Sequence, residues 1–212
     1  MGETGVRARW GALLVVGMLG GMAAGPWVHA AMWGALAVMG WREWWQVDGP
    51  RLGGVAWRTG QAWAVAVGLA GVWGSMVLAG QGPDGYDGWR VLGLVGMIWA
   101  NDTGAYLVGK PMGRHKIWPA ISPGKSWEGL AGGLLAAAVV AGWQWGWDQA
   151  WLGAAVGLLA TAGDFTESAW KRRRGIKDSG RWLPGHGGVL DRFDGWLYAA
   201  PAYAVYLELW GA

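Results

Sequence analysis

The sequence predicts an all-α fold: a polytopic membrane helical bundle with about seven transmembrane helices. Three observations predict it. Hydrophobic residues make up 53% of the 212-residue chain and charged residues only 15%, against roughly 25% charged in soluble domains. Stretches 10–41, 59–83, 129–147, 149–163 and 195–207 contain no Asp, Glu, Lys or Arg. The basic residues are gathered into a few connecting segments. Mean hydropathy is only +0.20 because 41 Gly and 21 Trp depress the scale, yet both residue types are ordinary in membrane helices.

Taken in order, the run 10–41 is too long for one span of roughly 20 residues. It breaks at Gly25-Pro26, which predicts a tight helical hairpin. Arg7 and Arg9, the apolar run 11–21 and Val28-His29-Ala30 resemble a cleaved signal peptide. More hydrophobic segments follow at once, so an uncleaved first helix is the expectation. A third helix is predicted over 59–83. The fourth covers 91–108 and carries Asn101 and Asp102 late in its course, where polar groups default to function. The fifth and sixth fill 129–147 and 149–163 with a short turn at Trp147-Asp148, and the seventh starts at Asp191. Residues 1–88 are thus read as N-terminal transmembrane helices, and 89–212 as a catalytic membrane region with two cytoplasmic loops.

Charge sets the orientation. Lys110, Arg114, Lys116 and Lys125 lie in one loop, and Lys171–Arg174, Lys177, Arg181 and Arg192 in another. The loop 81–88 holds Asp84 and Asp87 and no base. By the positive-inside rule the basic loops, with 42–58, face the cytoplasm, and 81–88 and Trp147-Asp148 lie outside. The expected location is the inner (cytoplasmic) membrane, with the lipid bilayer as a standing partner. The absence of Cys excludes disulfides and thiolate chemistry. A nucleic-acid partner is not expected, because the bases are interleaved with acids and lie against the bilayer.

The chemistry gathers in the second basic loop. If the sixth helix continues past the membrane, Asp164, Glu167, Ser168 and Lys171 share one face at i, i+3, i+4 and i+7. Asp191 and Asp194 are i, i+3 at a helix start, after the glycine-rich turn Pro184-Gly185-His186-Gly187-Gly188. Such a turn offers backbone N–H groups to an anion, typically phosphate. Hard oxygen ligands from separate segments, beside Lys and Arg, suit Mg²⁺ with a phosphate-bearing substrate. Asp164 and Asp191 are the candidate metal carboxylates. Gly124-Lys125-Ser126 is not a P-loop, because the first glycine it needs is Pro119.

Ser168-x-x-Lys171-Arg172, Lys177-Asp178 and the run Leu183 to Asp194 (LPGHGGVLDRFD) together resemble the signature of the phosphatidate cytidylyltransferases, or CDP-diacylglycerol synthases. Asn101-Asp102-x-x-Ala105-Tyr106, the segment 121–129 (ISPGKSWEG) and Gly163-Asp164 are similar to that family's upstream elements. The resemblance implies transfer of CMP from CTP to phosphatidate, giving CDP-diacylglycerol and pyrophosphate. It implies a cytoplasm-facing Mg²⁺ site on Asp164 and Asp191, a second monovalent cation such as K⁺, and allows for a homodimer. On that basis Asp164, Asp191, Lys171 and Asp194 are expected to be catalytic. Lys171, Arg172, Lys177 and Arg192 are expected to hold phosphates. Asp102, Asp178 and Asp194 would act as further ligands, Ser168 and His186 would orient oxygens, and Asn101 and Lys125 would contact substrate. Other readings are a polyprenol kinase, a CDP-archaeol synthase or a non-catalytic protein that binds anionic lipid.

Overall fold

A computed structural model describes residues 3–48, 85–180, 182 and 187–210. The predicted N-terminal hairpin is there, as α1 (Glu3–Ala23) and α2 (Pro26–Asp48). Gly25 takes φ +100° between them, a conformation open to glycine. Pro26 opens α2, where its missing N–H costs nothing. α2 runs on through Asp48, so residues 42–48 are helical rather than the start of a loop. No Gly or Pro interrupts the chain between Gly40 and Gly49, and Arg42 and Glu43 do not end a helix. The helix predicted over 59–83 lies outside the described residues.

α3 (Gly88–Met112) starts at Asp87, whose carboxylate accepts the Trp89 N–H at 2.9 Å. Among the described residues it is the helix long and apolar enough to cross a membrane by length and composition. The chain is all-α as expected apart from one short hairpin that follows α3, in which β1 (Lys116–Trp118) pairs antiparallel with β2 (Ser122–Ser126). Ser126 then caps α4 (Trp127–Trp145), accepting the Gly129 N–H at 3.1 Å. A single 3₁₀ turn (Trp147–Gln149) stands where the sequence predicts the outer turn, followed by α5 (Ala150–Arg173). The last segment divides into a short α6 (Leu190–Phe193) and α7 (Trp196–Trp210), so Asp191 and Asp194 precede the final helix rather than beginning it.

The bundle is built on α3, α4 and α5, with α7 against α5. Small residues set the spacing. A Cβ at Gly104 would stand 2.6 Å from the Gly132 carbonyl oxygen, and one at Gly153 would strike the Ala137 carbonyl. Such close backbone approach is how helices associate where water supplies little driving force. Leu94, Met97, Ile98, Val156 and Tyr203 fill the center. The N-terminal hairpin docks through Trp33, whose ring lies 4.4 Å from Trp196 and 5.4 Å from Phe193. Outward faces stay apolar, with Leu135 69% and Trp143 84% exposed.

Candidate active site

α5 carries its apolar run to Gly163, and the polar continuation predicted from the sequence is helical. Its face is wired as the spacing requires. The Ser168 hydroxyl donates to Asp164 Oδ1 at 3.1 Å, and the Lys171 ammonium lies 2.6 Å from Glu167 Oε2. Lys171 is 8% exposed, and its second carboxylate partner comes from elsewhere in the chain: Asp191 Oδ1, at 2.6 Å.

Asp191 is held on both oxygens. Its Oδ2 accepts the Ser179 and Gly188 N–H groups, each at 2.8 Å, and the Ser179 hydroxyl at 3.0 Å. Burial alone would raise this carboxyl. The Lys171 ammonium and the two N–H groups outweigh it and hold Asp191 below the usual range. Of the glycine-rich turn, Gly188 presents its amide to an anion, and in this structure that anion is a carboxylate of the protein.

Three carboxylates meet beside this pair. Ligand oxygens of Asp164, Glu167 and Asp194 all lie within 4.8 Å of one another. Gly163 makes the meeting possible, because a Cβ there would collide with the Asp194 carbonyl. Burial pushes Asp194 well above the ordinary carboxylate range, and the charges of Asp164 and Glu167 push it further. Glu167 Oε1 is buried without a hydrogen-bond partner among the described residues. Crowded hard oxygens, one of them orphaned, fit a divalent cation, which would neutralize the repulsion that now opposes ionization. Lys125 borders the cluster, pairing with Asp164 Oδ2 while its ammonium stands 4.8 Å from the Phe165 ring centroid.

A cleft of about 530 Å³ opens from Asp164 along α3 and the β-hairpin, lined by Asp102, Tyr106, Lys110, Lys116 and Lys125. Asn101 also borders it, but is only 2% exposed and gives its amide to Thr161 Oγ1 at 3.2 Å, a bond between helices. Arg172 is exposed and ties α5 to the hairpin turn, donating to the Ile121 carbonyl at 3.3 Å and to Ile176 O at 3.0 Å. Lys177, Asp178 and Arg192 are exposed. His186 lies outside the described residues. The structure thus joins Asp164, Ser168, Lys171, Asp191, Asp194 and Lys125 in one constellation. It adds Glu167, Ser179 and Glu43, which sequence reasoning did not select. Glu167 carried a signal, its i+3 spacing from Asp164; Ser179 and Glu43 carried none.

Carboxylates and lysines gathered at a cleft of a helical bundle are chemistry able to neutralize a phosphate-bearing substrate. The chain belongs to the cytidylyltransferase family, whose model matches residues 54–210, as the motif resemblance led us to expect. It is 45% identical over 119 residues to the phosphatidate cytidylyltransferase of Staphylococcus aureus, covering 52% of this chain and 46% of that protein. The proteins of that name from Staphylococcus haemolyticus and Staphylococcus saprophyticus are 44% and 41% identical over the same shares. The chain spans about half the length of the curated relatives it matches.

Proposed function

We propose that this chain transfers CMP from CTP to phosphatidate, forming CDP-diacylglycerol and pyrophosphate in phospholipid biosynthesis. The observation that carries the reading is the Asp164–Glu167–Asp194 cluster, flanked by Lys125 and Lys171 within the family-matched segment. Asp164, with Glu167 and Asp194 beside it, would hold Mg²⁺, and Asp191 would complete the site through Lys171. A K⁺ ion and a homodimer rest on the motif resemblance alone. The enzyme is placed in the inner membrane, its hairpin and the 164–192 segment toward the cytoplasm. The apolar outward faces and the distribution of basic residues support that placement.

A phosphate monoester has a second pKa of about 6 and is already nucleophilic at neutral pH, so no side chain need be activated. The phosphatidate oxygen attacks the α-phosphorus of CTP, and the bond from that phosphorus to the pyrophosphate oxygen breaks. The difficulty is bringing one polyanion against another. Lys110, Lys116 and Lys125 line the cleft and would neutralize the triphosphate and headgroup. Lys110 is steadied by donating to the Tyr106 hydroxyl at 2.8 Å. Ser168 fixes the Asp164 carboxylate. A divalent ion, when bound, supplies further neutralization of the polyphosphate.

The deciding experiment measures pyrophosphate from the purified protein given phosphatidate and CTP, with and without Mg²⁺. Release that needs both substrates and the metal supports the transfer. CDP without pyrophosphate would identify a lipid kinase. Neither product from folded protein would leave anionic-lipid binding as the function.

A further inference from the structure

Glu43 stands on α2, outside the segment that matches the family model, and is completely buried. A buried carboxylate needs donors on both oxygens, and it finds them in the segment leading into α6. Oε1 accepts the Val189 N–H at 2.8 Å. Oε2 accepts the Leu190 N–H at 3.0 Å and the Ser179 hydroxyl at 3.1 Å. The same hydroxyl lies 3.0 Å from Asp191 Oδ2, so one proton serves two carboxylates and Ser179 joins them. The signature glycine Gly188 takes its place here: a Cβ on it would collide with Ser179 Oγ and meet Glu43 Oε2 at 2.5 Å. Arg42, next along α2, stands 6.0 Å from the Trp182 ring centroid and grips the segment at a second point.

Resting on the reading of the site as a CTP-dependent transferase, we propose that Glu43 is a positioning residue for catalysis. It fixes residues 187–190 and Ser179 so that Asp191 meets Lys171, which in turn meets Glu167 of the acidic cluster. The path from α2 is continuous: Glu43, Ser179, Asp191, Lys171, Glu167. Glu43 is not placed to touch the substrates; it acts through the loop.

Glu43→Gln keeps the shape and replaces one acceptor oxygen with an amide NH₂ that faces N–H and O–H donors. It should lower kcat for pyrophosphate release about ten- to a hundredfold. The KM for CTP should change by less than about threefold, as expected when alignment rather than binding is lost. Amide hydrogen exchange at Val189 and Leu190 should accelerate by a similar factor, while that of α4 stays unchanged. Gln46→Ala, exposed on the same helix, should alter neither reading. If Glu43→Gln does not fold, Glu43→Asp retracts the carboxylate while keeping its charge and carries the same expectations. Unchanged kcat in a folded variant, or unchanged exchange at Val189 and Leu190, overturns the proposal. Should the unsubstituted protein release no pyrophosphate, the functional reading falls. The exchange measurement then judges the Glu43 contact by itself: acceleration sustains it and no change refutes it.

Discussion

Asp194 is where burial and neighboring charge act in the same direction, both raising its carboxyl. A proton therefore competes with any cation for this site, and ligands must be deprotonated to bind. The Mg²⁺ concentration giving half-maximal pyrophosphate release should fall as pH rises from about 6 to about 8; a titration at several pH values checks it. Asp164→Asn and Asp194→Asn should each cut release by about a thousandfold or more and weaken Mn²⁺ binding while the circular dichroism of the helices is retained. Lys171→Met leaves Asp191 and Glu167 facing each other with no cation between them. It should cost about 3 kcal/mol, read as a lower melting temperature in detergent. Asp164, Lys171 and Asp191 were legible because helical spacing and the motif carry them. Glu43 was not. Its partner Ser179 is 136 residues away, and no local pattern announces a contact of that range.

Among the elements, the approach to the β-hairpin is tied to α4 through Glu128. Glu128 takes the His115 ring Nδ1 at 2.6 Å and the His115 N–H at 3.2 Å. Its own backbone N–H, then the His115 ring, lower this carboxyl from 4.5 to about 2. A depressed carboxylate stabilizes fully above its ordinary value and loses that contribution as pH falls toward the folded value. Hydrogen-exchange protection in residues 116–126, relative to an unfolded chain at the same pH, should therefore be high at pH 5 and fall between about 4.5 and 2. Glu128→Gln should show the low protection already at neutral pH. The hairpin was illegible in the sequence because its strands are short and Ser122-Pro123-Gly124 reads as turn chemistry. Two helix limits were legible, at Gly25-Pro26 and at the Trp147-Asp148 turn, where the structure bends, while the end of α2 and the start of α7 were not.

For the molecule as a whole, the proposed number and sidedness of membrane crossings rest on apolar runs and charge distribution, and a direct test is available because the chain has no Cys. Single cysteines at Lys116 and at Asp148 should react with an impermeant maleimide from opposite sides of the membrane. Labeling of both from one side would invert the proposed topology. Stability should be least forgiving along the seam between α4 and α5. Gly153→Leu drives a side chain into the Ala137 carbonyl and should cost about 3 kcal/mol or more, visible as a lowered melting temperature. The seam also governs descent. Glycines at backbone contacts admit no gradual replacement, since the first added carbon already collides, whereas the outward Leu and Trp can trade places with any greasy neighbor. Lineages from this chain should drift on its outward apolar faces and stand still where backbone touches backbone.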